Sequence, residues 1–208
     1  MAAHLVPTRL ALHALAEHVI SPLRVQATGN EIALQARPGG YGTPELPGGG
    51  WVGVSGMDVV RADGAEQAVT SLRAAAVFVG LANAQALSDD PLRIDADAAG
   101  VLAEAWAGGT AALKALIAEA DPDEAASEIH LWPEHFDVAI ELGDAAAGRR
   151  AAYGVSPGDE RHPAPYAYVA PWTPPPPGPP WNSSAFNGAE GPPSEAPALW
   201  RACRTALA

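Results

Sequence analysis

The chain reads as an α+β fold: a largely antiparallel sheet with helices packed mainly on one face and long proline-rich connections. Three observations predict it. Apolar residues recur at helical spacing over four turns between Leu102 and Ile117. They alternate at strand spacing between Phe136 and Leu142. The chain as a whole is punctuated by 21 prolines and 21 glycines in 208 residues, as a fold with many turns requires.

Taken in order, Thr8 can cap a first helix over about residues 9–20, with Leu12, Leu15, Ala16 and Val19 on one face. Ser21-Pro22 should end or bend it, because proline disfavours helical geometry in the residue before it. Glu31 to Arg37 alternates like a half-buried strand. Pro38 to Gly50 is too punctuated for regular structure, and Gly39-Gly40-Tyr41-Gly42 reads as a hairpin or loop rather than a phosphate cradle. Trp51 to Val60 is a second strand, bent at Gly56, with Ala62-Asp63-Gly64 as a turn.

Thr70 or Ser71 starts a helix with Leu72, Ala75, Ala76 and Val79 inward. Asp95 or Asp97 starts a longer one, closed by Asp121-Pro122-Asp123. Ile129 to Leu142 then changes to strand period. After Pro133, Phe136, Val138, Ile140 and Leu142 face one way, and His135, Asp137, Ala139 and Glu141 the other. Tyr166 to Ala170 is a further strand with Tyr166 and Tyr168 on a common face. A proline-rich surface segment spans about residues 171–197, with Pro174 to Pro177 in polyproline II form. Ser194 can cap a final helix with Leu199, Ala202, Cys203 and Ala206 inward. A length of 208 residues fits one domain, residues 1–208.

Composition excludes more than it selects. The net charge of −12 opposes phosphate backbones and anionic headgroups, and Arg149-Arg150 is the only adjacent basic pair, so neither nucleic acid nor membrane is an expected partner. No uninterrupted apolar run reaches the roughly 18 residues of a membrane span. Met1 to Leu15 lacks the pattern of a secretion signal. Cys203 is the single cysteine, which fits a reducing compartment. A cytoplasmic protein is the expectation.

No nucleotide-binding, zinc-protease, CxxC or GxSxG motif occurs, so no cofactor is implied. The densest polar and aromatic stretch is His130 to Asp137. On a continuous strand His135 and Asp137 would project to one side, able to serve as base and orienting carboxylate or to hold an ion, with His130 or Glu134 as a third donor. They could equally bond only each other on a solvated face. No metal site is predicted from so short a cluster. Asp159 and His162, in the Tyr153–His162 loop, could join that site or form a turn. Trp172, Trp181, Asn182 and Phe186 either pin the proline-rich segment or line a pocket.

Together, Gly39 to Pro44, Thr70 to Ala75, the Leu-Trp-Pro-Glu-His-Phe-Asp motif ending at Asp137, Tyr153 to Asp159, Pro165 to Trp172 and Trp181-Asn182 resemble an uncharacterised family of hypothetical proteins from high-G+C Gram-positive (actinobacterial) bacteria. The resemblance covers most of the chain. It implies a stand-alone cytoplasmic protein and carries no catalytic residue, cofactor or substrate with it.

The leading functional expectation is a small-molecule-binding protein, with an enzyme as one form of it, and a pocket of His130, Trp132, His135, Asp137, Tyr153, Asp159, His162 and Trp181. The alternatives are a homo-oligomeric interaction protein built on its tryptophans, and a metal-dependent hydrolase using His135 and Asp137.

Overall fold

The computed structural model describes residues 2–208, with side chains from His4 onward. Two compact units emerge: Met1–Glu104 with Leu131–Phe136, and Ala105–His130 with Asp137–Ala208. The architecture is α+β, with two antiparallel five-stranded sheets where the sequence suggested one.

In the first unit, helical backbone begins at α1 (Ala2–Leu15), well before Thr8, and runs on through α2 (Ser21–Thr28). Proline at position 22 does not end it. Between the two helices lies a π-helical segment, Ala16–Ile20, in which the Ser21 amide bonds back to the Ala16 carbonyl. That wider turn leads into Pro22 at the start of α2, where its missing N–H costs least. Thr8 caps nothing in α1. It is buried, and its hydroxyl accepts from the Asp95 amide at 3.0 Å.

The first sheet is a meander, β1 (Gln35–Arg37), β2 (Gly40–Gly42), β3 (Val52–Ser55), β4 (Asp58–Arg61) and β5 (Glu66–Ala68), each strand paired with the next. The expected strand from Glu31 contracts to β1, with Leu34 forming an isolated bridge to Leu131. Regular structure does occur within Pro38–Gly50, since β2 pairs Tyr41 with Ala36 and Val54. Gly56 reverses the chain between β3 and β4 instead of bending one strand. In α3 (Leu72–Val79), Ser71 is the N-cap and accepts from the Ala74 amide, while Gly80 ends the helix in left-handed geometry.

Residues 131–136 fold onto α1 and β2. His13 stacks on Phe136 with ring centroids 5.0 Å apart and reaches the Pro133 carbonyl at 2.8 Å. The Tyr41 ring meets Phe136 edge-on, and its hydroxyl donates to the Leu12 carbonyl at 2.6 Å. Phe136 adopts φ 57°, an uncommon conformation for an aromatic residue. The expected strand of Ile129 to Leu142 is therefore two strands, β6 (His130–Trp132) and β7 (Asp137–Leu142), separated by a turn.

α4 (Ala96–Ala118) begins at Asp95, whose carboxylate accepts from the Ala98 amide. Leu102, Trp106 and Leu113 are fully buried, in the phase the sequence predicts. By length and composition α4 is also long and apolar enough to cross a membrane, with charged Glu104 and Lys114 on its exposed side.

The second sheet has the order β10-β9-β8-β7-β6, with β8 (Ala151–Ser156), β9 (Tyr166–Pro171) and β10 (Ala189–Gly191). Ile140, Tyr153, Val169 and Ala189 form one row across it. With Val138, Val155 and Ala167 they make an apolar face. Gly109 of α4 sits so close that a Cβ there would lie 2.9 Å from Val138 and Val155 side-chain carbons. α5 (Ala196–Leu207) buries Ala196, Trp200 and Cys203 and packs against β9 and β10. Cys203 is inward as the sequence predicts, while Trp200 takes the buried place expected of Leu199 and Ala202 is exposed.

Candidate functional site

Because strand side chains alternate, the other face of the second sheet collects a different set of residues. Asp137 and Glu141 come from β7, Ser156 and Gly154 from β8, Tyr166 and Tyr168 from β9, and Glu190 from β10. Register places Glu190 opposite Tyr168, Tyr168 opposite Gly154 and Tyr166 opposite Ser156.

The centre of this face is Tyr168. Its ring lies over Gly154, where a Cβ would fall 2.6 Å from Tyr168 Cζ and Oη. Having crossed β8 this way, the hydroxyl donates to Asp137 Oδ2 in a short hydrogen bond. Asp137 is buried. Burial, followed by the adjoining Asp137 charge, holds the Tyr168 hydroxyl protonated well above its ordinary range. The Tyr168 carbonyl accepts from Trp200 Nε1 at 3.1 Å, tying this residue to α5 as well.

A second cluster lies beside it. Asp159 starts a tight turn in which its Oδ1 accepts from the Arg161 and His162 amides at 2.7 and 2.8 Å. The turn brings His162 Nδ1 within 3.1 Å of Asp159 Oδ1 and 3.2 Å of Oδ2. His162 Nε2 stands 3.4 Å from Glu190 Oε1, so the imidazole bridges two carboxylates. Tyr166 donates to Asp159 Oδ2 at 2.8 Å and lies against the His162 ring, centroids 4.3 Å apart. Partial burial raises the Asp159 carboxyl, but the Tyr166 hydroxyl, the His162 and Arg161 amides and the His162 ring outweigh it and hold it at about 2.

Residues 182–188 hang on β10. Asn182 exchanges two hydrogen bonds with the Glu190 backbone, at 3.0 and 2.8 Å, as a neighbouring strand would. Ser183 donates to Glu190 Oε2 at 3.0 Å, and Phe186 presents its edge to Tyr168 with centroids 6.5 Å apart. At the far end of the face, Trp172 is 60% exposed yet fixed. Its Nε1 donates to Glu141 Oε2 at 2.6 Å and the Arg150 guanidinium lies 5.1 Å from its ring centroid. Burial raises the Glu141 carboxyl, opposed by Trp172 and Arg150.

Of the eight residues expected to line a pocket, Asp137, Asp159 and His162 belong to this face. Tyr153 does not: it is in the apolar core on the opposite side of the sheet. His130 lies in β6 with its Nε2 4.0 Å from Glu128. Trp132 and His135 belong to the first unit, where Trp132 accepts the Phe136 amide through its carbonyl and His135 is exposed in the turn. His135 and Asp137 do not share a strand face, because the chain turns at Phe136 between them. Trp181 is partly exposed, with a buried indole N–H that finds no acceptor among the described residues.

Tyr166, Tyr168 and Glu190 were outside the expected set, and Phe186 was expected only as a residue that pins the proline-rich segment or lines a pocket. The two tyrosines carry a legible signal, a tyrosine at alternate strand positions seven and nine residues beyond Asp159. Glu190 carries none, since its strand is three residues long inside a proline-rich segment.

Among the described residues, no group of three or more His, Cys, Asp or Glu side chains is arranged to hold a metal ion. The polar face offers hydrogen-bonding and aromatic surface instead. No family model matches the chain, and neither a curated protein nor a solved structure matches it.

Proposed function

We propose that the protein binds a small organic molecule on the polar face of its second sheet, around Tyr166, Tyr168, His162 and Glu190. The supporting observation is the convergence of four strands and two loops on one sheet face in a network of tyrosine, histidine and carboxylate. Simple solubility does not require it, since a solvated sheet face needs only scattered charges. Tyr168 is fixed beneath Phe186 and over Gly154, so little side-chain entropy remains to be lost when a ligand settles there. Loops on a rigid sheet, here residues 157–165 and 182–188, are the usual carriers of such sites.

His162 and Asp159 have the pairing of a base and its orienting carboxylate, which keeps an enzymatic role within the same proposal. A metal-dependent hydrolase has less to stand on, given the ligand geometry of the described residues. The buried, unbridged thiol of Cys203 is compatible with the reducing cytoplasm as the place of action.

The test is a fragment screen on the full chain by two-dimensional NMR. Saturable shifts confined to residues 154–168 and 183–190, lost in Tyr168→Phe with the fold retained, are the expected result. Shifts elsewhere only would overturn it.

One observation favours a second reading, self-association: Trp172 is large, exposed and rigidly held, as an interface anchor would be. A concentration-independent monomer in analytical ultracentrifugation would remove it.

A further inference from the structure

We infer that the outer face of α4 is an interface with a second copy of this chain, in which the two α4 helices pack antiparallel. It stands apart from the ligand site proposed above, and three observations on this one helix carry it. The first is an imbalance of burial. α4 is long and apolar, yet only 33% of its most apolar stretch is buried. Away from Leu102, Trp106 and Leu113, the residues Gly100, Glu104, Ala107, Ala111, Lys114 and Ala118 are all exposed. They recur at alternating spacings of four and three, the period of a seam between two helices.

The second observation is a pair of glycines. Glycine weakens a helix interior, so each one there calls for a reason. Gly109 has one within its own chain, the close approach of Val138 and Val155. Gly100 and Gly108 have none, since a Cβ at either would meet nothing within 4 Å. Bare backbone on an exposed face is what lets a second helix approach closely.

The third is charge. Glu104 and Lys114 are the charged members of the seam, and neither side chain has a partner among the described residues. Ten residues of helix set them about 15 Å apart, too far to meet each other. A two-fold axis midway between Ala107 and Ala111 puts Glu104 of each copy against Lys114 of the other, Ala107 against Ala111 and Gly100 against Ala118. Both ion pairs then close symmetrically, as a self-complementary interface requires. Parallel packing would set like charge against like. Asp97 and Asp121 would approach only at the rim, where Arg204 stands 3.5 Å from Asp121. A lipid surface fits the face less well: its two charges lie mid-face, and the net charge of −12 opposes anionic headgroups.

The experiment is sedimentation of the full chain over a wide concentration range, with carbodiimide cross-linking and mass spectrometry as the second readout. Lys114 is the sole lysine in the sequence, which makes its cross-link specific. The expected result is a reversible dimer whose cross-link joins Lys114 to Glu104. Lys114→Glu and Glu104→Lys should each weaken it at least tenfold. Mixing the two variants, or combining both changes in one chain, should restore it, because opposite charges face each other again. Trp172→Ala should leave it unchanged, which separates this interface from one anchored by Trp172. A chain that stays monomeric at every concentration overturns the inference. So does a dimer lost in Trp172→Ala and untouched by the charge variants, or one that the double change weakens as much as either single change. Monomer that partitions onto phosphatidylcholine vesicles through α4 would assign the face to lipid and overturn it as well.

Discussion

The Tyr168 hydroxyl reaches the Asp137 carboxylate from two strands away, and its ring can lie flat enough to do so only because the residue beneath it is Gly154. Any side chain at 154 would occupy the space the ring crosses. One hydrogen bond thus couples β7, β8 and β9 on their polar face, as Trp200 couples β9 to α5 on the other.

Tyr168→Phe keeps the ring and removes the donor to a buried carboxylate. It should cost about 1–3 kcal/mol of stability, the range for leaving a buried polar group without its partner. Urea denaturation checks this. An unchanged midpoint would mean that water replaces the hydroxyl without loss.

Gly154→Ala should destabilise by about 1–3 kcal/mol through overpacking against the Tyr168 ring. The cost should shrink in a Tyr168→Ala background, where the obstruction is gone. A double-mutant cycle with no coupling would contradict the geometry.

Asp159 sets a pH dependence whose sign is fixed. Its carboxyl is held at about 2, below the ordinary 3.8, so the folded state prefers it ionised. The stability it contributes is complete above the ordinary value and is lost as pH falls towards 2. Because the side chain is 43% exposed, solvent screening keeps that contribution modest. Melting wild type and Asp159→Asn between pH 6 and 2 should show a stability gap that closes on acidification. Glu119 and Glu124, also held below their ordinary range by arginine partners, act in the same direction in both proteins. A gap independent of pH would refute the assignment.

Cys203 is fully buried, and burial pushes its thiol up to about 12. A disulfide reagent at pH 8 should therefore react with native protein orders of magnitude more slowly than with protein in urea. Comparable rates would show that α5 opens readily.

Trp200→Ala removes the largest side chain of the α5 interface together with its bond to the Tyr168 carbonyl. A loss of about 3–5 kcal/mol is expected, enough to unfold a marginal domain. Trp200→Phe should lose less, and circular dichroism during urea titration distinguishes the two. Equal stability of the alanine variant and wild type would mean that α5 contributes little to the second unit.

Local chemistry made much of this legible without coordinates. The inward stripe of α4, the Ser71 cap, the alternation of β7 and the shared face of Tyr166 and Tyr168 are all consequences of backbone period, which sequence spacing reports directly. What failed were inferences that carried a local signal past a point where distant contacts intervene. Pro22 did not stop its helix, because a π turn precedes it and the surrounding Val19, Ile20 and Leu23 are buried. His135 was separated from Asp137 by a left-handed residue, Phe136, held between His13 and Tyr41, both about a hundred residues away in the chain.

The sequence by itself determined the α+β class, the acidic surface and the residue types available for chemistry, since composition and periodicity are properties of the chain alone. Only the tertiary structure decided which polar residues meet. Strand order and register are set by pairings remote in sequence, and they bring Glu190 to His162 and Tyr168 to Asp137 while burying Tyr153 on the opposite face.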